Sequence, residues 1–281
     1  MSQPLILTPM LSNQQFDRTR RLALSLAGIE LVDRHRELLD RRSRRLGIHD
    51  SAGLDALLHA AEEGEPTARQ QLLCLLTTKF TGFFRHPRHF DIAAEHALRA
   101  VRQRERARLW SAGAATGEEP YSLAMALIEV LQSDNPPASI LATDIDVKAL
   151  AVAQRGDYGE AAERALNPTR RERFLVATGI PGHWRIAPTA RRLVEFRALN
   201  LASAAWPIAG PFDVIFCRNV LMYLEACHRY AVLERMASLL APDGLLILDP
   251  AENLGKAAHW FTPAADGVCS PRRASCPQCT L

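Results

Sequence analysis

The sequence predicts an α/β fold, a doubly wound parallel sheet preceded by an all-α segment, and three observations support this. From about residue 91 onward, short β-type runs alternate with helix-length amphipathic runs, as strands joined by crossover helices do. From Phe16 to about Leu76 the sequence carries helical periodicity and no strand candidate. Successive β-type runs end in polar or glycine-rich residues, where sheets of this class bind ligands.

In the N-terminal part, Phe16, Leu22, Leu26, Ile29, Leu31, Leu38 and Leu39 recur near i+3/i+4, broken at Gly28. Arg34, Arg41, Arg42, Arg44 and Arg45 fall on the polar side of a second helix that Gly47 stops. Leu54, Leu57, Leu58 and Ala61 mark a third helix, ended by Gly64-Glu65-Pro66, and Thr67 to Thr77 reads as a fourth. A helix is expected over Asp91–Arg104. Strands are expected at Arg108–Ala112, Ser139–Thr143, Leu193–Arg197, Phe212–Phe216 and Gly244–Leu248. Helices over Glu119–Leu131, Val147–Gln154 and Ala226–Leu240 separate most of them.

The composition fits a folded chain. With 281 residues, 48% hydrophobic, 23% charged, 15 Gly and 17 Pro, disorder, collagen and coiled-coil rods are excluded. No apolar run approaches the ~18 residues that span a bilayer. The first residues lack the basic and apolar regions of a signal peptide, so a cytoplasmic protein without membrane insertion is expected. The net charge of +3 gives no ground for a nucleic-acid partner. Cys74, Cys217 and Cys227 sit in apolar stretches, as buried thiols do. Cys276 and Cys279 have CxxC spacing and Cys269 could be a third ligand, but no fourth is evident. A frayed, reduced tail over 269–281 is expected and no metal.

The loop after the first strand, Ser111-Ala-Gly-Ala-Ala-Thr-Gly117, is built of small residues that admit a ligand close to the backbone. Asp144 ends the second strand, where a carboxylate accepts from ribose hydroxyls. Asn200 follows the third strand and Arg218-Asn219 the fourth. Glu118 and Glu119 follow the glycine loop, where a pyrophosphate would want basic groups. Two acids there favour a phosphate-free, positively charged ligand such as S-adenosyl-L-methionine. A dinucleotide stays open as the alternative, because acids are also favoured in the first turn of any helix.

These motifs resemble the CheR-type chemotaxis receptor methyltransferases, which methylate protein glutamate. The resemblance is carried by Trp110-Ser-Ala-Gly-Ala-Ala-Thr-Gly-Glu-Glu-Pro-Tyr-Ser122, Leu141-Ala-Thr-Asp-Ile-Asp146, Phe212-Asp-Val-Ile-Phe-Cys-Arg-Asn-Val220 and Leu240-Ala-Pro-Asp-Gly244. Thr77-Thr-Lys-Phe-Thr-Gly-Phe-Phe-Arg85 resembles the family's interdomain segment. The resemblance runs from about Leu11 to Leu254. It implies a class I methyltransferase-like sheet with a small β-insertion at about 162–192. The implied division is a helical domain at 11–78, a linker at 79–90 that contributes to the donor site, and a methyltransferase domain at 91–268.

Residue by residue, the resemblance implies that Thr81 and Arg85 touch the amino-acid end of the donor, with Arg85 forked onto its carboxylate. Gly113 lines the loop, Glu119 lies near the donor ammonium and Asp144 takes the ribose. Asn200 and Leu201 bracket the adenine, Arg218 and Asn219 close the site, and Tyr223 stands near the departing methyl. Arg85 and Tyr223 are the implied catalytic pair. Lys79 stands where the family usually has Asn, and Asp249-Pro-Ala-Glu252 replaces its Gly-His-Ser-Glu. His86 and His89 flank Pro87 in the linker and are expected to be exposed.

The implied partner is a methyl-accepting chemotaxis receptor, through an acidic cytoplasmic helix. Six arginines between Arg34 and Arg45, against Glu37 and Asp40, offer it a complementary face, with Arg41, Arg42 and Arg45 as the test set. A methyltransferase of the same architecture with another substrate, and a binding module without turnover, are the competing readings.

Overall fold

A computed structural model of the chain describes residues 11–78 and 81–272. Lys79, Cys276 and Cys279 lie outside the described residues. Two compact units form, one from the N-terminal residues up to 78 together with Tyr223–His228, the other from the remainder.

The first unit is helical: α1 (Asn13–Ala27), α2 (Arg36–Arg45), α3 (Ser51–Glu62) and α4 (Pro66–Leu76). Ser12 opens α1 with reciprocal bonds, its Oγ accepting from the Gln15 N–H (3.2 Å) and Gln15 Oε1 accepting from the Ser12 N–H (3.0 Å). Gly28, at φ +63°, ends the helix. Asp50 caps α3, and proline opens α4, where its missing N–H costs no bond. Phe16, Leu39, Leu54, Leu58 and Leu72 are fully buried. Tyr223–His228 lies against the turn after α1. Glu30 donates to the Tyr223 carbonyl (2.9 Å) and Glu225 to the Gly28 carbonyl (2.8 Å), around an antiparallel Ile29–Leu224 bridge.

The basic face of α2 is divided in use. Arg41 and Arg45, and Arg34 just before the helix, are exposed. Arg42 turns inward and donates to the Leu75 and Leu76 carbonyls (3.0 and 2.9 Å) and to Thr78 Oγ1 (2.6 Å). It therefore satisfies carbonyls that the end of α4 leaves open. Arg44 pairs with Asp40 at 3.1 Å. The expected set of Arg41, Arg42 and Arg45 thus holds two surface charges and one structural cap.

The second unit begins with α5 (Pro87–Arg104) and continues β1 (Ala107–Ala112), α6 (Glu118–Val130), β2 (Ala138–Asp144) and α7 (Val147–Arg155). A three-stranded antiparallel insertion follows: β3 (Asp157–Tyr158), β4 (Leu175–Ala177) and β5 (Trp184–Ile186), with α8 (Glu160–Ala165) and α9 (Pro168–Phe174) inside it. After α10 (Pro188–Arg191) come β6 (Val194–Ala198), β7 (Phe212–Cys217), α11 (Ala226–Leu239), β8 (Leu240–Leu248), β9 (Phe261–Ala265) and β10 (Val268–Pro271).

The main sheet has the order β6-β2-β1-β7-β8-β10-β9. Its first five strands are parallel and β10 runs antiparallel to both neighbours. β1 and β7 are buried along nearly their whole length, and apolar but for Arg108, Ser111 and Asp213, because helices cover both faces. Strand order reverses between β1 and β7, so the crevice that ligands use in such sheets opens beyond the ends of these two strands.

Four expectations are corrected here. α5 starts at Pro87 and not at Asp91, since proline suits the first helical turn. His89 is 4% exposed, its Nε2 at 3.0 Å from the Asp266 carbonyl. Cys269 is buried in β10 opposite Leu246, so no frayed tail begins there. Cys227 is exposed at the start of α11, where the helix has not yet turned its apolar face inward.

Candidate functional site

The glycine loop after β1 is held by the end of β2. Gly113 and Ala114 donate to the Thr143 carbonyl (2.8 and 2.9 Å), and Ala115 donates to Asp144 Oδ2 (2.8 Å). Gly113 has φ +94°, and a Cβ there would stand 2.3 Å from Val220 Cγ2. At Gly117 (φ +100°) a Cβ would meet Ala153 Cβ and the Tyr158 hydroxyl at 2.8 Å. Both glycines are thus required by backbone conformation and by close approach.

Asp144 accepts from Ala115 through one oxygen and from the Asp146 N–H (2.8 Å) through the other. Burial raises its carboxyl above the usual range, against the pull of those N–H groups. Ile145 adds a third backbone donor, so of the roughly four acceptor positions of a carboxylate one is left for a ribose hydroxyl. Leu199 donates to the Asp144 carbonyl (3.0 Å), which sets Asn200 and the buried Leu201 beside this carboxylate. Asn200 Oδ1 accepts from the Ala202 N–H (2.9 Å) and fixes the turn.

At the switch point, Glu119 in the first turn of α6 accepts from Ser111 Oγ (2.9 Å) and from Arg218 Nη1 (3.3 Å). Burial raises the Glu119 carboxyl, while Arg218 and Ser111 favour its charged form. The Arg218 side chain is 2% exposed. Among the described residues its Nε and Nη2 have no hydrogen-bond partner. A buried guanidinium with one edge open beside a carboxylate matches a zwitterionic α-amino acid group, whose carboxylate and ammonium fit the two partners.

Thr81 and Arg85 precede α5. The Phe84 N–H donates to Ser122 Oγ (2.9 Å), which donates to the Glu118 carbonyl (2.6 Å), so this segment is tied to the first turn of α6. Asn219, at φ +57°, donates through Nδ2 to Asp249 Oδ2 (2.9 Å). Tyr223 is half-buried within the helical unit, its backbone paired with Glu30.

Glu252 is a residue whose role the sequence reading left unassigned. Oε1 accepts from the Val220 and Met222 N–H groups (3.1 and 3.2 Å). Oε2 accepts from those of Asn219 and Asp249 (3.0 and 3.2 Å). The only signal for it was the glutamate that Asp249–Glu252 keeps from the family's Gly-His-Ser-Glu. Among the described residues, one group offers metal-ligating atoms within 4.8 Å of one another: Glu225, Cys227 and His228.

A seven-stranded sheet of this order, with a glycine loop, a strand-end carboxylate and a buried arginine at its switch point, defines a class I methyltransferase-type domain. Comparison with known proteins makes this specific. Residues 79–267 match the family described as CheR methyltransferase, SAM binding domain. The chain is 39% identical to chemotaxis protein methyltransferase 2 of Pseudomonas aeruginosa over 94% of this chain and 98% of that protein. It is 39% identical to the chemotaxis protein methyltransferase of Klebsiella aerogenes, covering 89% and 87%. The Escherichia coli protein of that name is 36% identical, covering 90% and 88%. The chain belongs to the CheR methyltransferase family and is an S-adenosylmethionine-dependent methyltransferase.

Proposed function

We propose that this protein transfers a methyl group from S-adenosyl-L-methionine to glutamate side chains of chemoreceptors, leaving S-adenosylhomocysteine and a glutamate γ-methyl ester. The observation that carries the donor assignment is the buried Arg218 with its open edge beside Glu119. The names of the relatives support the chemotaxis assignment. No helix among the described residues is long and apolar enough to cross a membrane. We assign the enzyme to the cytoplasm, acting on receptor helices that reach it there.

When bound, the donor supplies an electron-poor methyl group on a sulfonium that departs as a neutral thioether. Arg218, with Arg85 and Thr81, holds the amino-acid carboxylate, and Glu119 holds the ammonium. Asp144 orients the ribose, Asn200 and Leu201 the base, and Gly113 lets the nucleoside lie against the backbone. A glutamate carboxylate, with an ordinary pKa of ~4.3, is already ionised at neutral pH and needs no general base. The protein's contribution is therefore alignment of oxygen, methyl carbon and sulfur. Tyr223 orients the reacting groups without taking a proton.

Calorimetry with S-adenosylhomocysteine and labelled methyl transfer to receptor-containing membranes test this together. The wild type binds the product and forms base-labile methyl esters, whereas Arg218→Met binds at least about tenfold more weakly, the scale of a lost charge-assisted bond. Absence of binding by the wild type, or label that is not base-labile, would refute the assignment.

A further inference from the structure

Around Arg218 the structure gathers three carboxylates, Glu119, Asp249 and Glu252. Glu119 faces Arg218 directly, and Asp249 (6% exposed) and Glu252 lie at the end of the adjoining strand β8. Glu252 accepts four backbone N–H groups, two per oxygen, an acceptor set that suits a carboxylate. Asp249 accepts from the Asn219 amide (2.9 Å) and from the Ala251 N–H (3.1 Å). Backbone amides satisfy hydrogen bonds but carry no net charge; burial raises the Glu252 carboxyl, while its N–H partners favour the charged form. His86 Nε2 stands 3.7 Å from Asp249 Oδ2, and its side chain is exposed enough for solvent to screen it.

The four groups that Glu252 ties are also the walls of the site. Asn219 and Val220 follow Arg218 directly, Val220 rests over Gly113, and Met222 ends the loop. A neutral amide has one acceptor oxygen and could tie only two of these four N–H groups, so the clamp itself already suits an acid. An acid here has a further consequence, because the two ligands of the cycle differ in charge. With its amino-acid end zwitterionic, the sulfonium donor carries +1 and the thioether product 0.

We propose that Glu252, with Asp249, is a specificity-determining residue pair: it fixes the 218–222 loop and supplies negative charge that favours the cationic donor over its neutral product. This rests on the donor assignment above and extends it to the turnover cycle. At an effective permittivity of about 20, one unit charge acting across about a Debye length shifts a binding ratio on the order of tenfold.

The test is calorimetric titration of wild type, Glu252→Gln and Asp249→Asn with S-adenosylmethionine, S-adenosylhomocysteine and a donor analogue carrying an ammonium centre in place of the sulfonium. In both variants the donor-to-product affinity ratio is expected to fall about tenfold, with the ammonium analogue following the donor. Equal weakening of all three ligands would mean that the pair is only a mechanical clamp and would overturn the proposal, as would an unchanged ratio. If Glu252→Gln fails to fold, Asp249→Asn decides alone, since Asn keeps one of the two accepted bonds. A wild type that binds none of the ligands would instead remove the donor assignment.

Discussion

Gly113→Ala is the most demanding perturbation of the donor loop, and its cost follows from two separate terms. The backbone there has φ +94°, which a residue with a Cβ adopts at a cost of about 1–2 kcal/mol. The new Cβ would also lie 2.3 Å from Val220 Cγ2, far inside contact distance. Relief requires moving Val220, whose N–H is bonded to Glu252 at 3.1 Å, so the overlap costs a further ~1–3 kcal/mol. Together these make ~2–5 kcal/mol, expressed as a lower melting temperature, weaker donor binding, or both. Calorimetry with S-adenosylhomocysteine and a thermal melt should show at least a tenfold loss of affinity or several degrees of destabilisation. The second substitution Val220→Ala removes the clashing methyl and leaves Val220 Cβ at an ordinary 3.8 Å. The double variant should therefore regain the steric part and keep the conformational part. Wild-type affinity and stability in Gly113→Ala, or no recovery in the double variant, would refute this account of the loop.

His89 and His96 are 4% and 5% exposed, and burial lowers both below the ordinary 6.5. Their contribution is complete above about pH 6.5, and it declines as pH falls toward the lowered native values, because the unfolded chain takes up protons first. The urea midpoint should drop between pH 7 and 5, and His96→Leu should flatten part of that drop. Arg42→Ala opens the Leu75 and Leu76 carbonyls and should cost about 1–3 kcal/mol in a denaturant melt, with donor affinity unchanged. Reversing Arg41 and Arg45 alone, both exposed, should slow receptor methylation several-fold at low salt without altering donor affinity. Equal rates for that double variant and the wild type would end the docking proposal.

The parallel strands were legible because helices cover both faces of the sheet, which writes them as apolar runs such as Phe212-Asp-Val-Ile-Phe216. The strand-end polar residues were legible for the same topological reason. The β9–β10 hairpin was missed because its strands are short and proline-bearing, Phe261-Thr-Pro-Ala-Ala265 and Val268-Cys-Ser-Pro271. The Asp266-Gly267 pair between them, with Gly267 at φ +70°, was the available signal for a two-residue turn. Arg42 could not be told from its exposed neighbours, since a cation reaching the end of another helix leaves no periodic trace. Glu252 eluded the reading for a similar reason: its four partners are backbone amides, and amides have no letters in a sequence.

The pairing of Tyr223–His228 with the turn after α1 bears on how the protein is made. A nascent chain presents the four N-terminal helices long before residue 228 leaves the ribosome. Until then the Gly28 carbonyl and the Glu30 amide must be served by water, and Ile29 waits without its bridge partner. Completion of the helical unit is thus deferred until most of the catalytic sheet has been synthesised. A fragment cut at residue 78 would be a helical body permanently lacking its last splint.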